Sequence, residues 1–137
     1  MNTIGVEFSN FICELFGLEF GKNFFYPRVP DVDGPVYWMT LMGSLLNRKL
    51  KTHQNIKEYV FVLNYRDVKA QNVDEKIFEI ETVLNHLTCS KLEHFDLYEI
   101  TTSNLGTYED VDSEGRFKGS IQIVVKVHDD YHIWIKW

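Results

Sequence analysis

The stretch EYVFVLNYRDVKAQNVDEKIFEIETVLNHL, residues 58–87, changes its hydrophobic period half-way along, and that change decides the fold class. Tyr59, Val60, Phe61, Val62 and Leu63 form an unbroken run of β-favouring side chains. Further on, Ile77, Ile80, Leu84 and Leu87 share one helical face, while Asp74, Glu75, Glu79 and Glu81 supply the solvated side. Those acids crowd the N-terminal half, where the helix dipole favours negative charge. Asn72 with Glu75 three residues on has the pattern of a capping box, so the helix is predicted to start at Asn72.

The same reading extends outward. Upstream, Val6, Phe11, Ile12, Leu15 and Phe16 recur at helical spacing and Gly17 follows, which predicts a short first helix ending there. Pro27, Pro30, Gly34 and Pro35 then forbid helix, leaving 24–26 and 36–42 as candidate strands. Residues 43–57, GSLLNRKLKTHQNIK, hold the chain's one basic concentration: Arg48, Lys49, Lys51 and Lys57. The segment exceeds the length of a tight hairpin turn, and is expected to be a long flexible arm or loop. Downstream, 95–102, 117–127 and 131–137 read as strands. In the first of these, Phe95, Leu97, Glu99 and Thr101 are assigned to one side. The order predicts one α+β domain over residues 1–137, a mostly antiparallel sheet of about four to six strands with two helices packed on one face.

The totals limit the function classes. A chain of 137 residues, 45% hydrophobic and 15% aromatic, can bury a substantial core. The net charge of −6 argues against general binding of DNA phosphates, which needs a basic face. Cys13 and Cys89 are too few for a disulfide framework and are read as buried free thiols. The opening MNTIGVEFSNF predicts no cleaved leader, and no segment has the apolar length of a membrane span. A cytosolic origin is expected.

Three places invite a chemical reading. Asp110, Asp112, Glu114 and Gly115 stand where a calcium loop puts its first oxygen ligands and its glycine. Position twelve of that loop, which requires a bidentate Glu, is Ile121, and the flanks are strand-like, so a turn is expected instead. His128 and His132 would pair as ligands on a helix. In an extended chain they lie roughly 13 Å apart. Cys89 has His86 and His94 nearby in sequence, but proximity along the chain does not make a triad. The sequence therefore predicts no enzyme, no cofactor and no metal ligand.

By its order of elements the chain resembles the tail terminator proteins of long-tailed bacteriophages, often labelled minor capsid or tail-completion proteins. The resemblance rests on the short N-terminal helix EFSNFICELFGL, then the Pro-containing stretch NFFYPRVPDVDGPVYW. It continues in the strand, loop and helix of residues 58–87, and in YEITTSNLGTYEDVDSEGRFKGSIQIVVKV, two strands around an acidic turn with Gly-Arg. It covers about Glu7 to Val127. What the resemblance implies is a structural virion protein made in the host bacterial cytoplasm. A hexameric ring of such chains would sit on the last ring of the tail tube, stop its growth and meet the head-completion or neck protein. DNA would pass through the channel without sequence-specific binding, and no membrane would be involved. Candidate subunit or tube contacts are Arg48, Lys49 and Lys51 in the arm, Asp112, Glu114 and Arg116 at the turn, and Trp134 and Trp137 in the tail. The alternative is a small non-enzymatic protein-binding or regulatory domain of a bacterium or phage.

Overall fold

The structure, a computed structural model, describes residues 3–30, 32, 34–49, 55–87, 92, 95–109 and 115–129. In chain order its elements are α1 (Ile4–Phe16), β1 (Phe24–Phe25), β2 (Val36–Lys49), β3 (Asn55–Asp67), α2 (Ala70–Asn85), β4 (Asp96–Glu109) and β5 (Phe117–Asp129). The strands make one five-stranded sheet in the order β1-β2-β3-β5-β4. Every pairing is antiparallel except that of β1 on β2. The chain thus has the expected α+β fold.

Helix α1 forms because Ile4, Phe8 and Ile12 recur every four residues and are all buried. Thr3 caps its start by accepting from the Val6 amide, and Gly17, at φ 67°, ends it in the left-handed conformation. Phe8 stacks on Phe61 of β3 with ring centroids 4.9 Å apart. Helix α2 lays Val73, Ile77, Ile80 and Leu84 on the same sheet face. Beneath that face run the fully buried rows Phe61 and Leu63 of β3 and Ile121, Ile123, Val125 and Val127 of β5.

Gly119 of β5 sets the height of α2 above the sheet. A Cβ there would stand 2.5 Å from Val73 Cγ1 and 2.8 Å from Ile77 Cγ1. Gly119→Val is expected to lift the helix and cost about 1–3 kcal/mol through overpacking, read as a fall in the urea midpoint at unchanged slope.

The start of α2 differs from its expected position. The helix begins at Ala70, and the N-cap residue Lys69 makes no side-chain cap bond. Asn72 lies inside the first turn and donates to Asp67 Oδ2 at 3.4 Å. Asp67, the last residue of β3, holds the turn that leads into α2: its Oδ1 accepts from the Val68 amide at 2.6 Å and from the Lys69 amide at 3.4 Å, both before the first helical residue. The helix therefore starts two residues before Asn72, whose side chain ties back to the strand end instead of capping.

Three strand expectations also change. Strand β2 extends past residue 42 to Lys49, and β3 starts at Asn55. The residues 43–49 and 55–57 of the expected arm are therefore a paired antiparallel ladder ending at Lys49↔Asn55. Strand β4 runs on to Glu109, through the Ser, Asn and Gly of 103–106. Its alternation also differs: a bulge at Tyr98 resets the two-residue period. Leu97 is buried, but Ile100 and Thr102, not Glu99 and Thr101, then turn toward α2. The expected strand 131–137 lies outside the described residues.

Candidate functional site

Among the described residues no helix covers the other sheet face, and that face is chemically divided along its length. At one end Trp38 is buried, with the Arg66 guanidinium 5.3 Å and the Lys118 ammonium 5.9 Å from its ring centre. Lys118 also lies 5.1 Å from the Tyr108 ring. Cations over aromatic faces are attracted by the ring quadrupole, more so where water is excluded. Beside them Ser120 donates to Asn64 Oδ1 at 2.6 Å, and Asn64 Nδ2 reaches the Trp38 carbonyl at 3.5 Å. Arg66 Nη2 and Arg116 Nη1 both donate to the Val32 carbonyl, at 3.1 and 3.4 Å. Two guanidinium groups on one main-chain oxygen hold Val32 against this end of the face.

The middle of the face carries half-buried Thr40, Val60, Val62, Gln122 and Val124. At the far end Lys126 bridges Glu58 at 3.4 Å and Glu99 at 3.3 Å, tying three strands together. His128 and Tyr98 meet edge to face, their rings nearly perpendicular with centroids 5.1 Å apart. Large apolar side chains are exposed at the sheet margins: Leu41 and Met42 on β2, Leu105 and Tyr108 on β4, and Phe78 on α2.

The candidate contact residues fall in different places. Arg48 and Lys49 occupy the end of β2, in register with Ile56 and Asn55. Arg116 is half-buried and held by Val32. Lys51, Asp112, Glu114, Trp134 and Trp137 lie outside the described residues, as does Asp110. What is described around the acidic turn is Gly115, at φ 64°, and the direct pairing of Glu109 with Phe117 that closes a β4–β5 hairpin. Ile121, at the twelfth position, is fully buried in the core. Gly115→Val forces a β-branched residue into the left-handed region at about 1–2 kcal/mol. The melting temperature should fall, equally with and without added calcium; an unchanged melt with lost calcium affinity would reverse the turn reading.

Among the described residues no group of three or more His, Cys, Asp or Glu is placed to hold a metal ion. His86 Nδ1 lies 2.7 Å from the Thr82 carbonyl, a contact that places a hydrogen on Nδ1. Cys89, His94 and His132 lie outside the described residues. Burial pushes the Cys13 thiol up to about 11, so it stays protonated and unreactive at neutral pH. Among the described residues no helix is long and apolar enough to cross a membrane.

No family model matches the chain, and no curated protein matches it at a significant level. The Trp38, Arg66, Lys118 and Tyr108 cluster was not foreseen from the sequence. The alternation of Val36, Trp38 and Thr40 puts them on one side of β2, but the cations beside Trp38 come from strands distant in the chain.

Proposed function

We propose that this chain is a non-enzymatic assembly protein that works as a homo-oligomeric ring, in the manner of phage tail terminators. The observation that carries the reading is the placement of exposed apolar side chains at the sheet margins, Leu41 and Met42 on β2 against Leu105 on β4, with Phe78 exposed on α2. Soluble proteins blunt sheet edges unless those edges meet a partner. The resemblance in element order and the acidic net charge of −6, suited to a channel that must not grip DNA, point the same way.

In this reading the ring, a hexamer by resemblance, sits on the end of the tail tube, stops tube growth and offers its other side to the neck protein. Arg48, Lys49, Lys51, Asp112, Glu114, Arg116, Trp134 and Trp137 are its candidate contacts, and the assembled protein resides in the virion. The decisive test is the mass of the purified protein in solution, followed by electron microscopy with tail tubes. Oligomers, or density capping tube ends, support the ring. A strict monomer that leaves tubes uncapped removes it and favours a small protein-binding or regulatory domain.

A further inference from the structure

We infer that successive copies of this chain join edge to edge, the outer side of β2 in one copy pairing antiparallel with the outer side of β4 in the next. This names the subunit contact of the ring proposed above and rests on that reading. The two strands stand near opposite ends of the sheet order β1-β2-β3-β5-β4, which makes the contact head-to-tail, the kind that closes into rings. β1 covers β2 only at Tyr37 and Trp38, so positions 39–49 have no strand on their outer side among the described residues. Among the described residues β4 has no strand on its outer side along its whole length. The pairings make β2 antiparallel to β4, so a neighbour in the same orientation presents the right direction.

Both margins carry apolar side chains at a bulge. On β2 these are Leu41, 37% exposed, and the bulge residue Met42, 65% exposed. On β4 the bulge residue Leu105 is 52% exposed. Asp74 and Asn85 of α2 hydrogen-bond Thr107 and Thr102 of β4, so α2 runs antiparallel along that margin. Phe78, one turn after Asp74 and 65% exposed, is carried about 6 Å along the helix, level with Leu105.

Register follows from faces, because opposed residues of a ladder point to the same side. Ser44 pairs with Tyr59 of the core and Thr102 bonds α2, so both belong to the helix-covered face. Setting Ser44 against Thr102 puts Gly43 against Ser103 and brings the bulges at Met42 and Leu105 level. In the other direction, past the β2 bulge between Leu46 and Arg48, Arg48 comes opposite Glu99. Apolar meets apolar and base meets acid in one register. A two-residue slip either way parts Met42 from Leu105.

The test uses the full chain with Gly43→Cys, Ser103→Cys and Cys89→Ser. Gly43 and Ser103 are exposed, and a Cβ at Gly43 meets nothing within 4 Å. Within one chain they lie three strand spacings apart, roughly 14 Å, too far for a disulfide. Mild oxidation should give a non-reducing ladder from dimer to full ring, with at most a dimer from either single cysteine variant. Independently, Arg48→Glu and Glu99→Arg should each weaken association about tenfold or more, and the double variant should restore it, with thermal melts confirming folding. An oligomeric wild type with no ladder and no charge rescue overturns this contact and leaves the ring standing. A wild type that is monomeric at high concentration and leaves tail tubes uncapped overturns both.

Discussion

Phe61→Ala should lower the unfolding free energy by about 3–5 kcal/mol, the largest loss expected from a single substitution in this chain. The ring is fully buried and stacks 4.9 Å from Phe8, so it joins α1 to the central strand β3. Its neighbours in the core, Leu63 and Ile123, are held by the ladder and cannot collapse into the space left behind. A loss of this size is a third or more of a typical domain's stability and should lower Tm by roughly 10 °C or more. Phe61→Leu keeps most of the volume and should recover much of it. A fall below about 1 kcal/mol for the alanine variant would mean that α1 does not depend on this stack.

Asp67→Ala should cost about 2–3 kcal/mol, although it removes only one short side chain. The carboxylate accepts from the Tyr65 hydroxyl at 2.8 Å, from the Val68 and Lys69 amides, and from Asn72. Alanine leaves the buried Tyr65 hydroxyl and the Val68 and Lys69 amides of the turn before α2 without this acceptor. Burial pushes the Asp67 carboxyl pKa up, but the bonds from Tyr65, Lys69, Val68 and Asn72 outweigh it and hold the group below its ordinary value. A depressed folded pKa gives stability that is present above the unfolded value, about 3.9, and is lost as pH falls through the folded one. Urea midpoints for wild type and Asp67→Asn should therefore differ at pH 7 and converge in strong acid. A gap that widens on acidification would contradict the assignment.

What could be read in advance was local. Tyr59 to Leu63 and the Ile77, Ile80, Leu84 stripe announced β3 and α2, because burial imposes its period directly on neighbouring residues. Gly17 announced the end of α1 because glycine enters the left-handed conformation of a helix end without steric cost. The second half of β4 stayed hidden because its Thr, Ser and Asn lie on an exposed edge where no apolar period is required. The bulges at Tyr98 and Leu105 stayed hidden because an inserted residue has no composition of its own. Asn72 carries the local pattern of a capping box, but the helix starts at Ala70 and the Asn72 side chain bonds Asp67 at the end of the preceding strand, a partner the box pattern does not include. The cluster around Trp38 depends on which strands become neighbours, and spacing along the chain does not encode that. Of the candidate contacts, the basic end of β2 was placed on an element, and Arg116 was found already engaged within the chain.

The strand order has a consequence for how the chain reaches this state. β2 with β3, and β4 with β5, are hairpins whose partners follow each other closely in sequence. The seam between β3 and β5 is different: Asp67↔Phe117 to Asn55↔Asp129 join residues separated by the whole of α2 and β4. Loop-closure entropy is small for the hairpins and larger for the seam, so the search for the native state is dominated by bringing two self-closing halves together. Helix α2 lies in the connection between those halves and packs across β3, β5 and β4, so the segment that separates the halves in sequence also covers the line where they meet.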